Sequence, residues 1–199
     1  MRAGVLALQG NFREHLATLE RCGAEAGEVR TTDDLDAVHG LIIPGGESTT
    51  VGKLMVRYGL DTAIRERVAG GMPLFGTCMG LIVMAREIEG SDQHRLGLMD
   101  VTVRRNAFGR QVDSFECDLD VAGVSPPSVR AVFIRAPYIT RVGEDIEVLA
   151  TFEGKIVLAR QRNLLGAAFH PELTQETRIH RLFLDLIAGG GMPRTPPRK

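Results

Sequence analysis

Between Val68 and Ala85 the chain carries no charged residue, a run long enough to cross a bilayer by length alone. Gly70, Gly71, Pro73, Gly76 and Gly80 interrupt it and would break a membrane helix repeatedly. The run therefore reads as a buried strand at Pro73-Leu74-Phe75, a tight turn, and the start of a buried helix. A strand and a helix this apolar must both be covered by other elements. The flanking pattern supplies them.

Ala3 to Leu8 is a short apolar run ending at Gln9-Gly10, and reads as a buried strand. Phe12, Leu16, Leu19 and Cys22 then mark one face of a helix stopped by Gly23. Leu41-Ile42-Ile43 reads as the second buried strand, stopped by Pro44-Gly45-Gly46. Val51, Leu54, Met55 and Tyr58 stripe another helix, and Leu60 to Val68 a further one. Strands alternating with helices predict a central, mostly parallel sheet covered on both faces, an α/β three-layer sandwich. From about Leu96 the pattern shifts to period two. In Ser114 to Val121 apolar and polar residues alternate, which predicts a half-buried antiparallel strand. Ile146–Ala150 and Ile156–Ala159 predict a hairpin turning at Glu153-Gly154. Leu164 to Phe169 reads as the last strand, and Ile179, Leu182, Phe183, Leu186 and Ile187 stripe a closing helix.

The 199 residues suit one domain at roughly 150 residues per domain, here placed at 1–190 with a frayed tail at 191–199. With 44% hydrophobic and 25% charged residues, a disordered tail, a collagen-like fibre and a small disulfide scaffold are excluded. A net charge of −1 offers no basic field for nucleic acid or an anionic membrane. The chain turns polar directly after MRAGVLALQG, so no signal peptide is expected. Three cysteines at unrelated spacings suit a reducing, cytoplasmic compartment, and no Cys/His pairing has zinc spacing.

Gly76-Thr77-Cys78-Met79-Gly80 is the sharpest local signal, the cysteine counterpart of the G-x-S-x-G nucleophile elbow. Such a turn lifts its central residue to the carboxyl end of the sheet, at a helix N-terminus. Cys22 and Cys117 lack that turn and read as core. Among five histidines, His170 alone follows a buried run and precedes Pro171-Glu172. In an extended segment Glu172 points to the same side and can fix the imidazole tautomer. His15 and His180 fall within helical segments, and His39 and His94 in polar turns.

Pro44 to Thr50 also stands at a strand's end. Its glycines suit close approach of N–H groups to a ligand oxygen, as in an oxyanion hole. Taken alone, it serves equally as a loop entering a helix with Ser48 as N-cap. A phosphate-binding P-loop is excluded: five residues separate Gly46 from Gly52, and Leu54 follows Lys53 where Ser or Thr is required.

The elbow together with His170-Pro171-Glu172 resembles the triad of the class I, triad-type glutamine amidotransferases, a family with a flavodoxin-like sheet. Within it, the chain is similar to the glutaminase branch that feeds pyridoxal 5′-phosphate synthesis. Leu8-Gln9-Gly10, Pro44–Thr50, Arg105–Glu116, Phe133–Pro137 and Phe169–Thr174 carry the likeness in order along nearly the whole chain. Met79 stands where a small residue is usual, and Tyr138 where histidine is common.

The resemblance implies Cys78 as nucleophile, His170 as general base and Glu172 as its orienting partner. It implies glutamine contacts from Gly46, Glu47, Ser48, Arg105, Ile134 and Arg135. Gln9, Gly10, Gly45, Gly46 and Met79 would then shape the oxyanion site. It implies L-glutamine as substrate, a separate synthase subunit receiving ammonia in a hetero-oligomeric complex, and no metal or bound cofactor. By the residues alone, an arginine is the cation a free amino acid's carboxylate needs, and Arg105 or Arg135 taken singly reads as a solvated charge. A non-catalytic module on the same fold would be expected to lose a triad member. A cysteine peptidase or chaperone elbow would not come with His-Pro-Glu and these arginines.

Overall fold

The computed structural model describes residues 1–105, 114–126 and 128–189. The expected frayed tail lies outside them, as does most of the Arg105–Glu116 segment.

The chain runs β1 (Arg2–Leu6), α1 (Phe12–Arg21), β2 (Glu25–Val29), α2 (Thr32–Asp36), β3 (Gly40–Ile43), α3 (Ser48–Arg57), α4 (Leu60–Ala69), β4 (Leu74–Thr77) and α5 (Met79–Met84). Then come β5 (Ala85–Ile88), β6 (Met99–Arg104), β7 (Ser114–Leu119), β8 (Val129–Ile134), β9 (Tyr138–Val142), β10 (Glu147–Phe152), β11 (Lys155–Gln161) and β12 (Leu164–Ala167). A 3₁₀ turn at Pro171–Leu173 and α6 (Arg178–Ile187) complete the described chain.

The main sheet has the order β2-β1-β3-β4-β12-β11-β9-β6-β5, with β10 paired to β11. From β2 through β12 every pairing is parallel; β12–β11, β11–β9 and β9–β6 are antiparallel. This is the expected α/β sandwich with an antiparallel extension. β7 and β8 form a separate antiparallel ribbon, and β7 alternates in burial as its sequence alternates.

The strand Leu41–Ile43 is third rather than second in the chain. β2 escapes an apolar-run reading because its sequence, EAGEV, sets exposed Glu25 and Glu28 beside buried Gly27 and Val29 at the sheet edge. The hairpin turns at Glu153-Gly154 as expected, both with positive φ.

Period-two alternation on β4 divides its neighbours between the two faces. Phe75 meets Phe183 of α6 with ring centroids 5.8 Å apart, and Thr77 meets His15 of α1. Gly76 faces α5 so closely that a Cβ would strike Gly80 and the Met84 sulfur. α5 is buried along its whole length. Cys22 and Cys117 are half-buried, packed against the core rather than inside it.

Candidate active site

Four adjacent parallel strands, β1, β3, β4 and β12, end on the same side of the sheet and carry the site. A doubly wound sheet places ligands there. A cavity of about 360 Å³ opens at these ends. Of the residues expected from sequence, it brings together Gln9, Gly45, Gly46, Glu47, Ser48, Cys78, Met79, Arg105, Ile134, Arg135 and His170. Gly10 and Glu172 stand behind its wall.

Cys78 joins β4 to α5 with φ 48° and ψ −101°, a region costly for any residue with a side chain. The turn is enforced from both sides. The Cys78 N–H donates to Ala167 O at 2.8 Å, and a Cβ on Gly80 would collide with the Ile43 carbonyl. α5 then begins at Met79, whose N–H, at a helix start, has no intrahelical carbonyl to bond. Arg135, φ 42°, is also a strained cavity residue; among the described residues the remaining non-glycine positive φ values belong to the turn residues Glu153 and Arg162.

His170 follows β12, and its N–H donates to Val132 O of β8 at 2.8 Å. Its Nδ1 lies 2.7 Å from Glu172 Oε1. The pairing is as expected, but the backbone is not extended: Pro171 starts a 3₁₀ turn because its fixed φ suits a helical first position. Burial, the largest influence on His170, lowers its pKa, but hydrogen bonding and charge at Cys78 and Glu172 outweigh this and raise it. Burial would raise Glu172; His15 and His170 reverse that and hold it below the usual carboxylate range. Asn11 Nδ2 adds a donor 3.4 Å from Glu172 Oε1.

The two glycine loops are in contact. Asn11 N–H donates to Gly45 O at 3.1 Å, and a side chain on Gly10, φ 98°, would overlap that carbonyl. Gln9 Oε1 accepts the Glu47 N–H at 2.8 Å. Glu47, not Ser48, caps α3: its carboxylate accepts from the N–H groups of Thr49 at 3.0 Å and Thr50 at 2.7 Å. Hydrogen bonding to Thr50 and Thr49 lowers its pKa to about 2. Glu47 therefore borders the cavity with its carboxylate already engaged.

Ser48 is released from capping, and its Oγ donates to Gln93 Oε1 at 3.3 Å. Arg105 Nη1 donates to the same oxygen at 2.7 Å. Gln93 was not legible as a site residue: it sits in a polar stretch with no motif. His15 and His180, read as helical from sequence, are fully buried beside the site, each on the apolar side of its helix, where a histidine is out of place.

A family model described as the SNO glutamine amidotransferase family matches residues 5–188. The chain belongs to this family.

Among its relatives is "Pyridoxal 5′-phosphate synthase subunit PdxT" of Moorella thermoacetica, 56% identical over 187 residues, or 94% of this chain and 100% of that protein. The protein of the same name from Carboxydothermus hydrogenoformans is 55% identical over 96% of this chain and 100% of its own. A solved structure titled "Crystal structure of glutamine amidotransferase" superposes with a TM-score of 0.90 at 53% identity, covering 94% of this chain and 98% of that one. Among the described residues of this amidotransferase, no group of three or more His, Cys, Asp or Glu side chains could hold a metal ion. No helix of the described residues is long and apolar enough to cross a membrane.

Proposed function

We propose that this amidotransferase hydrolyses L-glutamine to L-glutamate and ammonia, and passes the ammonia to a pyridoxal 5′-phosphate synthase subunit in a hetero-oligomeric complex. The observation that carries the reading is the Cys78 elbow facing a buried His170–Glu172 pair across one cavity. Three free cysteines fit a reducing cytoplasm.

Cys78 Sγ attacks the side-chain amide carbon while His170 takes the thiol proton. The Met79 and Gly46 N–H groups stabilise the oxyanion. Collapse breaks the C–N bond, and His170 returns the proton to the departing ammonia. A water deprotonated by His170 then cleaves the glutamyl thioester, releasing glutamate and restoring the thiol. Glu172 holds the imidazole orientation throughout. Arg105 and Arg135 grip the substrate carboxylate, with Ser48 and the Ile134 backbone completing its contacts. Nucleic acid and membrane are not partners in this scheme.

The test is glutamate release by the purified chain, with and without the synthase subunit. Weak hydrolysis alone and much stronger hydrolysis with the partner are expected. Full activity unchanged by the partner would mean a preformed site whose partner only receives ammonia. Iodoacetamide labelling of Cys78 should also fall when glutamine is present.

A further inference from the structure

Behind the proposed triad lies a buried polar chain that the reaction scheme leaves unused. His15 of α1, His180 of α6 and Thr77 of β4 are all fully buried. His15 Nδ1 lies 2.9 Å from His180 Nε2. His15 Nε2 lies 3.0 Å from Thr77 Oγ1 and 3.3 Å from Glu172 Oε2. Thr77 immediately precedes Cys78, and Glu172 is the partner of His170. One ring nitrogen therefore touches both halves of the site.

Glu172 Oε2 is buried and makes no hydrogen bond among the described residues, a costly position for a carboxylate oxygen. Burial, the largest influence, lowers the pKa of both His15 and His180 and so favours the neutral ring, with one N–H on each. The geometry selects which nitrogen holds it. A bare Nε2 on His15 would set a lone pair against Glu172 Oε2, whereas an Nε2–H sets a positive hydrogen beside it. His15 Nδ1 then accepts from His180 Nε2–H. His180 Nδ1, which has no partner among the described residues, is left as a lone pair.

We propose that His15, locked in its tautomer by His180, is a positioning residue for glutamine hydrolysis: it steadies the Glu172 carboxylate and, through Thr77, the strand end that carries Cys78. Two apolar side chains would fill this space at lower desolvation cost, and a filler alone needs no ring nitrogen 3.3 Å from a buried carboxylate. The inference rests on the Cys78–His170–Glu172 reading.

The test is a double-mutant cycle of His15→Leu and Glu172→Gln in the full chain assayed with the synthase subunit. His15→Leu should lower kcat about tenfold or more, because the buried Glu172 oxygen loses the polar group beside it, with KM changed less than about twofold. His15→Gln, which keeps an N–H donor, should recover most of the loss. In the Glu172→Gln background the same His15→Leu change should cost less than about threefold, because a role exercised through Glu172 has nothing left to act on. Equal losses in both backgrounds, or no rescue by glutamine, would overturn the proposal. Should His15→Leu not fold, nitrogen-15 NMR of wild-type protein labelled at histidine decides. An Nε2–H tautomer is expected at His15, and an Nδ1–H tautomer overturns the role. Wild-type kcat in Glu172→Gln alone would sink the triad reading and this inference with it. An impaired Glu172→Gln beside an unaffected His15→Leu would sink only the role of His15.

Discussion

Arg105→Ala removes the side chain whose guanidinium is held at the cavity by one N–H on Gln93 Oε1, 2.7 Å away. The other donors of the fork remain for a substrate carboxylate. Losing one hydrogen bond to a charged group costs about 1.5–3 kcal/mol, roughly 10- to 150-fold in kcat/KM for L-glutamine. Gln93→Leu leaves the charge but removes its anchor, so its loss should match a neutral hydrogen bond, about 0.5–1.5 kcal/mol. The assay compares L-glutamine with an amide lacking the α-carboxylate. Wild type should discriminate strongly between them, and Arg105→Ala should lose the roughly 10- to 150-fold share that Arg105 supplies by failing only on glutamine. If the variant kept the wild-type ratio, Arg105 would not hold the carboxylate, whatever its effect on overall rate.

Phe75 is fully buried and contacts the rings of Phe183, His180 and His15, so Phe75→Ala should cost about 3–5 kcal/mol in urea unfolding; a loss under about 1 kcal/mol would contradict this packing. Glu47→Ala removes the α3 cap and should cost about 0.5–2 kcal/mol. Because hydrogen bonds from Thr50 and Thr49 lower Glu47 from 4.5 to about 2, that cap contributes fully above pH 4.5 and is lost as pH falls through about 2. The stability gap between wild type and Glu47→Ala should therefore close towards pH 2, and a gap independent of pH would refute the assignment.

What could be read from residues alone follows from how local each signal is. The elbow is legible because Gly76 and Gly80 each stand two residues from Cys78, where the doubling backbone leaves no room for a Cβ, as the Ile43 carbonyl against Gly80 shows. His170 and Glu172 are two residues apart, so their pairing survived even though a 3₁₀ turn replaced the expected extended backbone. β2 carries no apolar-run signal because it buries only part of its length at the sheet edge. Glu47 displaced Ser48 as cap because its longer side chain reaches two N–H groups at once. The link from His15 to Glu172 joins residues far apart in the chain, and no spacing rule encodes it. Its trace was a histidine on a buried stripe, a signal that becomes specific only once the carboxylate behind it is placed.

The most direct measurement is glutamate release by Cys78→Ala, assayed with the synthase subunit beside a check of fold and of glutamine binding. On the proposed mechanism Cys78 supplies the attacking sulfur, so hydrolysis should vanish while fold and binding stay close to wild type. Hydrolysis above trace from a correctly folded Cys78→Ala would mean that the nucleophile is not at this elbow.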